Sequence, residues 1–292
     1  MPMVNEEVAL PGATLSTYRS CQGAPLVLLH GGPGGEFAPL ARVASMIDYV
    51  AEVFGYDQRA SGRSTGEGPF TVATWLEDLQ GLRVHWEVES WIVAGHSFGA
   101  ALALAYAALF PSRSMGLIFM SCLPALMGSY ERGKDEYRQN RLNRIPPEER
   151  SAYDALRQRR EGAAGDVRRG IDRSMARIAV RAEFADKTVA DQYLPEILDE
   201  LERTNWVVNR ELGDDYDRFA SQPSFDAGVR SYPNPALVIH GDPDCRPMWA
   251  AEELTRRLPN ARLLNVRDAG HLPWLERESV IRKELREFVS TI

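Results

Sequence analysis

The segment that most constrains the fold of this chain is an apolar run at 91–94, a Gly-His-Ser-Phe-Gly sequence at 95–99 and an alanine-rich stretch at 100–110. The apolar run predicts a buried strand, and the alanine-rich stretch, which Pro111 ends, predicts a helix. Passing from strand to helix within so few residues requires a tight turn, which glycines on both sides of Ser97 permit. We therefore predict a strand, a sharp turn at Ser97 and a helix.

Short apolar runs alternate with helical stretches on both sides of this segment. Strand–helix alternation at this spacing predicts an α/β fold, with a mostly parallel central sheet and helices on both faces. Besides 91–94, the predicted strands are 26–29, 50–56, 115–120, 236–240 and 262–266. Besides 100–110, the predicted helices are 72–86, 250–258 and 279–291.

Residues 124–231 differ in character from the rest of the chain. Buried strand runs stop, arginine and glutamate become dense, and periodic apolar positions predict several amphipathic helices. We interpret residues 1–123 and 232–292 as one α/β core that this helical insertion interrupts. Because the insertion follows the strand after the serine-bearing helix, we expect it to form a cap, or lid. A solvated helical hairpin is the alternative.

Composition and charge exclude several classes of protein. The formal net charge of −7 argues against a nucleic-acid partner, which would need a basic surface. The longest mostly apolar stretch, 98–110, is too short for a bilayer, which takes about 20 apolar residues, and residues 1–12 lack a secretory signal pattern. Cys21, Cys122 and Cys245 are widely spaced and odd in number, which indicates reduced thiols. We therefore expect a cytoplasmic protein with no metal, cofactor or membrane partner.

The Gly-x-Ser-x-Gly pattern at 95–99 matches a nucleophile elbow, in which a serine is exposed on a strained turn between a strand and a helix. The pattern also arises by chance, and a turn serine with a structural role is the alternative. The predicted strand before it and the predicted helix after it favour the elbow. We predict Ser97 as a nucleophile, with the free N–H groups of the helix N-terminus near the developing negative charge.

A His-Gly-Gly-Pro-Gly-Gly sequence at 30–35 follows the predicted strand 26–29. Such a loop lets the backbone approach a substrate closely, and one of its N–H groups can complete an oxyanion hole. We assign the oxyanion hole to the N–H groups of Gly32 and Phe98. A phosphate-binding loop is disfavoured because no Gly-Lys-Ser/Thr sequence follows. We expect His30 to be a hydrogen-bonded structural residue.

Five histidines are present, and a base for Ser97 must come last in the chain order Ser, Asp, His that such elbows use. His271 meets this condition, because it lies between the last predicted strand and the last predicted helix. His240 ends a strand, His85 lies on a predicted helix and His96 lies inside the elbow, so these three are poor candidates. We predict His271 as the base.

The acid that orients His271 should lie in the loop after strand 236–240, which contains Asp242 and Asp244. We prefer Asp244 because it is farther out in the loop, where the chain can turn back to the imidazole. Asp268 is too close to His271 in the chain to orient it easily. With this triad, the histidine takes the serine proton, the serine attacks a carbonyl carbon, and water later hydrolyses the acyl-enzyme.

Two further motifs are the His-Gly-Gly-Pro-Gly sequence at 30–34 and the Asp-Gln-Arg-Ala-Ser-Gly-Arg-Ser sequence at 57–64. Together with the elbow and the segments that hold Asp244 and His271, they resemble the proline iminopeptidases (prolyl aminopeptidases). The resemblance covers the predicted core well and the insertion loosely, mainly at 201–206. It implies an α/β-hydrolase fold with a helical cap and a serine peptidase that removes an N-terminal aminoacyl residue.

The resemblance also implies how a substrate is held. Family members recognise the free amino group with acidic residues, one of them from the cap, and Glu202 matches that cap carboxylate. An exposed helix glutamate is the alternative, and Glu196 and Asp199 lie nearby. The substrate is then a short peptide or small molecule with a free amino end. Some relatives trim an aminoacyl group from a small-molecule amine, including macrolactam intermediates of biosynthetic pathways.

Three positions depart from the family pattern. Cys245 stands where the family often has glutamate, Ala60 stands in place of glycine, and Phe98 stands in place of the elbow tryptophan. These changes bear on the preference for proline more than on aminopeptidase chemistry. An esterase, a thioesterase or a carbon–carbon bond hydrolase with the same triad is the alternative function, and a non-catalytic binding protein on the same fold is a third.

Overall fold

The structure is a computed structural model that describes residues 3–20, 22–122, 126 and 130–292. Cys21 and the predicted boundary between core and insertion, at 123/124, lie outside the described residues. Across the described ranges, no helix has the length and apolar character needed to cross a membrane.

In the described ranges, eight strands form one central sheet. In chain order they are β1 (Val4–Leu10), β2 (Ala13–Arg19), β3 (Ala24–Leu29), β4 (Ala51–Tyr56), β5 (Trp91–His96), β6 (Ser114–Met120), β7 (Ala236–Asp242) and β8 (Ala261–Arg267). Their order in the sheet is β1-β2-β4-β3-β5-β6-β7-β8. Strands β3 to β8 are parallel, and β2 pairs antiparallel with both β1 and β4. The predicted α/β fold with a mostly parallel sheet is confirmed.

Helices follow most strands of the sheet and occur throughout the described part of the insertion. In chain order they are α1 (Ala41–Ile47), α2 (Val72–His85), α3 (Phe98–Leu109), α4 (Tyr130–Asn143), α5 (Pro147–Glu161), α6 (Gly165–Ala182), α7 (Lys187–Arg203), α8 (Trp206–Ala220), α9 (Pro223–Ser231), α10 (Met248–Arg257), α11 (Pro273–Glu276) and α12 (Glu278–Val289).

The core consists of two apolar clusters, one on each face of the sheet. Alternate residues of a strand point to opposite faces, so Val27 packs with the cluster that contains α2 and α3, and Leu28 with the cluster that contains α1 and α12. Both side chains are fully buried. Such two-sided burial explains why these strands appear in the sequence as continuous apolar runs.

The hairpin of β1 and β2 was not predicted. Most residues of β1 are exposed, so the strand lacks the apolar run that marked the central strands. Pro11 and Gly12, which join the two strands, are a turn signal that the sequence does contain.

The described part of the insertion, between β6 and β7, is helical. The helices α8 and α9 belong to the same apolar cluster as α2 and α3, through buried residues such as Leu212 and Phe225. By contrast, α5 contributes no buried residue. The second half of the insertion therefore packs on the core, and the division into a core and a cap domain stays a prediction.

Candidate active site

Ser97 lies in the turn between β5 and α3. Its backbone has φ 54° and ψ −117°, a left-handed conformation that is costly for a residue with a side chain. The turn is also crowded, because a Cβ at Gly95 would collide with the main chain of Gly99, and a Cβ at Gly99 would collide with the main chain of Leu29. Glycine is therefore required on both sides of the serine, as the elbow motif predicts.

The glycine-rich loop after β3 lies directly against Ser97. A Cβ at Gly31 would lie 2.8 Å from the Cβ of Ser97. Gly32 has φ +50° and open space around its Cβ position, so backbone conformation and not crowding favours glycine there. Phe98 is the first residue of α3, where main-chain N–H groups have no partner within the helix. Phe98 directly follows Ser97, and Gly32 directly follows Gly31, which lies against Ser97.

Residues of the Asp-Gln-Arg motif at 57–59 hold this loop in place. The main-chain N–H of Gln58 donates to Nε2 of His30 at 3.0 Å, and the Gln58 side-chain amide donates to the His30 carbonyl oxygen at 2.9 Å. Because Nε2 accepts, the imidazole carries its proton on Nδ1, 2.9 Å from the carbonyl oxygen of Gly31. Burial lowers the pKa of His30, which favours this neutral form. His30 is therefore hydrogen-bonded in the way expected of a structural residue.

The loops after β7 and β8 bring Asp244 and His271 together. Oδ2 of Asp244 lies 3.3 Å from Nδ1 of His271, and the Asp244 side chain is fully buried. Asp242 is exposed. Asp268 is 80% exposed and pairs with Arg277 at 3.3 Å. Of the three candidate aspartates, all of them described, Asp244 is the one in contact with His271.

His96, the residue before Ser97, links the elbow to His271. Nε2 of His96 donates to the His271 carbonyl oxygen at 3.1 Å, and the centroids of the two rings are 4.5 Å apart. Burial, and then the nearby His271, hold the pKa of His96 well below its usual range. The contact brings the predicted base close to the predicted nucleophile and leaves His96 itself neutral.

The charges of the Asp244–His271 pair suit general-base catalysis. Burial opposes the ionisation of Asp244, but the positive charge of Arg246 and the contact with His271 outweigh it and hold its pKa well below its usual range. Burial lowers the pKa of His271, and Arg246 lowers it further, against the opposing effect of Asp244. At neutral pH the aspartate is therefore charged and the histidine neutral, which are the states that a base needs.

Arg246 and Glu183, which the sequence analysis did not single out, surround this pair. Nη1 of Arg246 lies 3.1 Å from Oδ1 of Asp244 and 2.7 Å from Oε2 of Glu183. Arg246 follows Asp244 by two positions, so the sequence does contain a signal for it. Glu183 follows α6 in the insertion, and no local pattern distinguishes it from the many exposed glutamates around it.

The structure does not bring Glu202 to the other predicted site residues. Its side chain is 56% exposed, and its carboxylate pairs with Arg173, which also binds Asp199 at 3.0 Å. Glu196 is exposed as well. Residues two apart on a helix point about 200° away from each other, so Glu200 faces the opposite flank of α7 from Glu202.

Glu200 lies against the glycine-rich loop. A Cβ at Gly35 would lie 3.4 Å from Oε1 of Glu200. Burial, and then the negative charge of Glu36, raise the pKa of Glu200 to about 8. Glu36 itself pairs with Arg203. The same short loop contacts Ser97 near its start and Glu200 at Gly35.

The insertion also binds this loop through the start of α8. The main-chain N–H of Asn205 donates to the Gly34 carbonyl oxygen at 2.8 Å, and its side-chain amide donates to the Ala60 carbonyl oxygen at 2.9 Å. The side-chain amide of Asn209 donates to the Pro33 carbonyl oxygen at 2.9 Å. A side chain at Gly34 would collide with the main chain of Asn205, so the close approach requires glycine.

The two cysteines among the described residues, Cys122 and Cys245, are buried and take part in no disulfide. Burial raises the pKa of the Cys245 thiol to about 12, and the thiol donates to the Ala182 carbonyl oxygen at 3.3 Å. No group of three or more His, Cys, Asp or Glu side chains in the described ranges is placed to hold a metal ion.

Comparison with known proteins agrees with the fold. The sequence profile of the alpha/beta hydrolase fold family matches residues 24–278. A probable proline iminopeptidase of Leptolyngbya boryana is 30% identical over 275 residues, which cover 85% of this chain and 81% of that protein. The chain belongs to the proline iminopeptidase family. The family resemblance predicted from the motifs is confirmed, and the chain is an α/β-hydrolase enzyme of the serine aminopeptidase type.

Solved structures share the fold. The proline iminopeptidase of Mycobacterium smegmatis superposes with a TM-score of 0.74 at 19% identity, over 99% of this chain and 98% of that one. A thermophilic esterase from Thermogutta terrifontis superposes with a TM-score of 0.69 at 22% identity, over 100% of this chain and 99% of that one. At these identities the likeness concerns the fold alone, and the substrate has to be argued from the site.

Proposed function

We propose that this member of the proline iminopeptidase family hydrolyses the amide bond after an N-terminal aminoacyl residue, through an acyl-enzyme on Ser97. The observation that supports the proposal most directly is the 3.3 Å contact between Asp244 and a neutral His271, whose ring packs against the residue before Ser97. A buried carboxylate that orients a neutral imidazole beside a strained serine is the arrangement that activates a hydroxyl nucleophile.

The proposed reaction has two halves. His271 takes the proton of the Ser97 hydroxyl as its oxygen attacks the carbonyl carbon, and the N–H groups of Gly32 and Phe98 receive the oxyanion. The carbon–nitrogen bond then breaks as the imidazolium gives its proton to the departing amine. In the second half His271 takes a proton from water, the hydroxide attacks the ester, and the serine oxygen regains the proton as it leaves.

We further propose that Glu200, and not Glu202, receives the substrate amino group. Glu200 touches the loop that contacts Ser97, whereas Glu202 lies on the opposite flank of α7 and pairs with Arg173. A partly buried carboxyl with a pKa raised to about 8 gains a favourable partner when an ammonium group binds beside it. The ammonium would lower that pKa, so binding near neutral pH should release a proton.

The proposal leaves room for several acyl and leaving groups. A peptide and an aminoacylated small molecule, such as a macrolactam intermediate of a biosynthetic pathway, both present a free amino end and an amide. Phe98 stands where many relatives have the larger tryptophan, and its ring packs against Tyr216 of α8 at 5.6 Å between centroids. We therefore do not restrict the proposed acyl group to proline.

A panel of aminoacyl-4-nitroanilides, each with and without N-acetylation, tests the proposal. We expect turnover of the free-amine substrates and little turnover of the acetylated ones. Glu200→Gln should raise KM for the free-amine substrates by about tenfold or more, the worth of one charge-assisted hydrogen bond, and should leave a short acyl ester unaffected. Glu202→Gln, on the same helix, is the matched control and should change neither. Equal turnover of free and acetylated substrates would exclude amino-group recognition.

An esterase, thioesterase or carbon–carbon bond hydrolase with the same triad is the second candidate. One observation favours it: the pKa of Glu200, raised to about 8, leaves that carboxyl largely neutral at pH 7 before a ligand binds, which also suits an uncharged acyl chain. The same panel decides between the two, since hydrolysis of short acyl esters far faster than any aminoacyl amide would favour this alternative.

A further inference from the structure

The turn that ends α6 and leads to α7, residues 182–186, bonds to the acid and to the base of the proposed triad. The carbonyl oxygen of Glu183 accepts the main-chain N–H of His271 at 2.8 Å. Its carboxylate accepts Nη1 of Arg246 at 2.7 Å, and the same nitrogen lies 3.1 Å from Oδ1 of Asp244. The main-chain N–H of Arg246 donates to that Oδ1 as well, at 2.9 Å. One residue of the insertion therefore reaches His271 directly and Asp244 through a single guanidinium.

The turn and the His271 loop are in contact along their main chains. A Cβ at Gly270 would collide with the carbonyl group of Glu183, so only glycine permits the approach. The carboxylate of Glu276 accepts the N–H groups of Ala185 and Asp186, each at 2.8 Å, and that of Gly270 at 2.6 Å. Because one carboxylate binds both segments, the position of the loop depends on the position of the turn.

The Glu183–Arg246 pair has further partners on α4, both of them partly buried. The hydroxyl of Tyr137 donates to Oε1 of Glu183 at 2.7 Å, and the Arg246 guanidinium lies 4.5 Å from the centre of the Tyr137 ring. Arg141 lies 3.9 Å from Glu183. The side chains of Arg246 and Glu183 are 8% and 11% exposed. Burying charges at this depth is expensive unless each is paired, so the contacts define one geometry closely.

We propose that Glu183 and Arg246 are positioning residues. They hold Asp244 and His271 in position relative to Ser97 only while the 182–186 turn is bonded to the His271 loop. The proposal rests on the proposed triad but not on the choice of an aminoacyl substrate. Arg246 acts by binding Asp244, and Glu183 acts by fixing Arg246 and the main chain of His271. The insertion would then help to position the catalytic residues in addition to covering them.

The two residues should also have opposite electrostatic effects on the base. The positive charge of Arg246 lowers the pKa of His271, and the negative charge of Glu183 raises it. Removing each charge should therefore move the acid limb of the pH profile in a different direction, which a purely structural contact would not do. The titratable and charged groups around His271 are Asp244, Arg246 and Glu183, then His96, Tyr137, Arg141 and Glu276.

The test measures two quantities with the full chain. One is the hydrolysis of 4-nitrophenyl acetate, a substrate without an amino group, and the other is the rate of labelling by a fluorophosphonate. Glu183→Gln should lower kcat by about tenfold with little change in KM, because misplacing the catalytic groups affects the reaction step. Its acid limb in kcat/KM should move to lower pH by about half a unit, and that of Arg246→Met should move to higher pH by a similar amount. Asp172→Asn, an exposed ion-pair residue of α6, is the control and should behave as the wild type.

Arg246→Met leaves two buried carboxylates facing each other and is the variant most at risk of misfolding. The double variant with Glu183→Gln removes that repulsion, and its acid limb should lie between those of the single variants. Limbs that do not move in the folded variants, or that move in the same direction, would overturn the proposal. If the wild type hydrolyses the ester but no aminoacyl amide, the proposed function fails while this experiment still decides the role of the pair. Absence of labelling in the wild type would overturn both.

Discussion

Replacing Glu200 with glutamine should change how the stability of the fold depends on pH. In the folded state burial and the charge of Glu36 raise the pKa of Glu200 to about 8, against 4.5 for an unperturbed glutamate. Between these two values the folded chain binds a proton at Glu200 that the unfolded chain has lost. The free energy of unfolding of the wild type must therefore fall as the pH rises through this window.

The size of the effect follows from the two pKa values. A gap of about 3.5 pKa units corresponds to about 5 kcal/mol if it is fully expressed. The Glu200 side chain is only partly buried, and solvent screens its charge, so we expect about 2 kcal/mol. Glutamine has nearly the same shape as glutamate but does not ionise. The free energy of unfolding of Glu200→Gln should therefore lack this part of the pH dependence.

Urea denaturation at pH 5 and pH 9 measures the difference. The free energy of unfolding of Glu200→Gln relative to the wild type should be about 2 kcal/mol more favourable at pH 9 than at pH 5, with equal m-values. Glu202→Gln removes an exposed carboxylate from the same helix. Its free energy of unfolding relative to the wild type should be the same at pH 9 and at pH 5. If Glu200→Gln changes stability equally at the two pH values, the carboxyl titrates normally and its proposed role at the amino group loses its physical basis.

Three further predictions concern the loops around Ser97. Gly270→Ala should cost about 2 kcal/mol of stability, because its Cβ forces the loop away from the main chain of Glu183. We expect kcat/KM to fall as well, and a stable and fully active variant would refute the close contact. Asn205→Ala should cost about 1 kcal/mol in urea denaturation, since it removes the cap of α8 and the bond to Ala60, whereas Asn205→Ser should recover the cap alone. With an ester substrate, kcat/KM should stay level as the pH falls to 6.5 and should drop only below that pH, because the pKa of His271 is lowered from 6.5. A loss of kcat/KM that begins above pH 7 would contradict the assignment of the base.

The parts of the molecule that the sequence predicted are those set by local patterns. Strand β5, the elbow and α3 follow from an apolar run, two glycines and an alanine-rich stretch, each of which acts over a few residues. Asp244 and His271 follow from the order of the elements, because parallel strands deliver the loops after them to one edge of the sheet. The choice of Asp244 over Asp242 needs, in addition, the path of the loop after β7, which turns back to the imidazole.

The parts that the sequence did not predict depend on which face of a helix meets the core. Glu200 and Glu202 differ by two positions, and only the packing of α7 decides that the first faces the glycine-rich loop and the second faces Arg173. Glu183 contacts Arg246 across 63 positions of sequence, within a stretch where exposed charges are common. A single buried carboxylate among them has no local signature, because its burial arises from tertiary contacts.

The attachment of α7 at both ends has a consequence for how this enzyme could acquire new substrates. The helix begins at the turn bonded to the His271 loop and ends beside Asn205, which is bonded to the Gly34 carbonyl. The His271 loop and the glycine-rich loop are thus both attached to one helix, and a shift of that helix would disturb both loops at once. Sequence variation in α5, which buries no residue, should leave both loops in place. A library for altered specificity should therefore leave both ends of α7 intact.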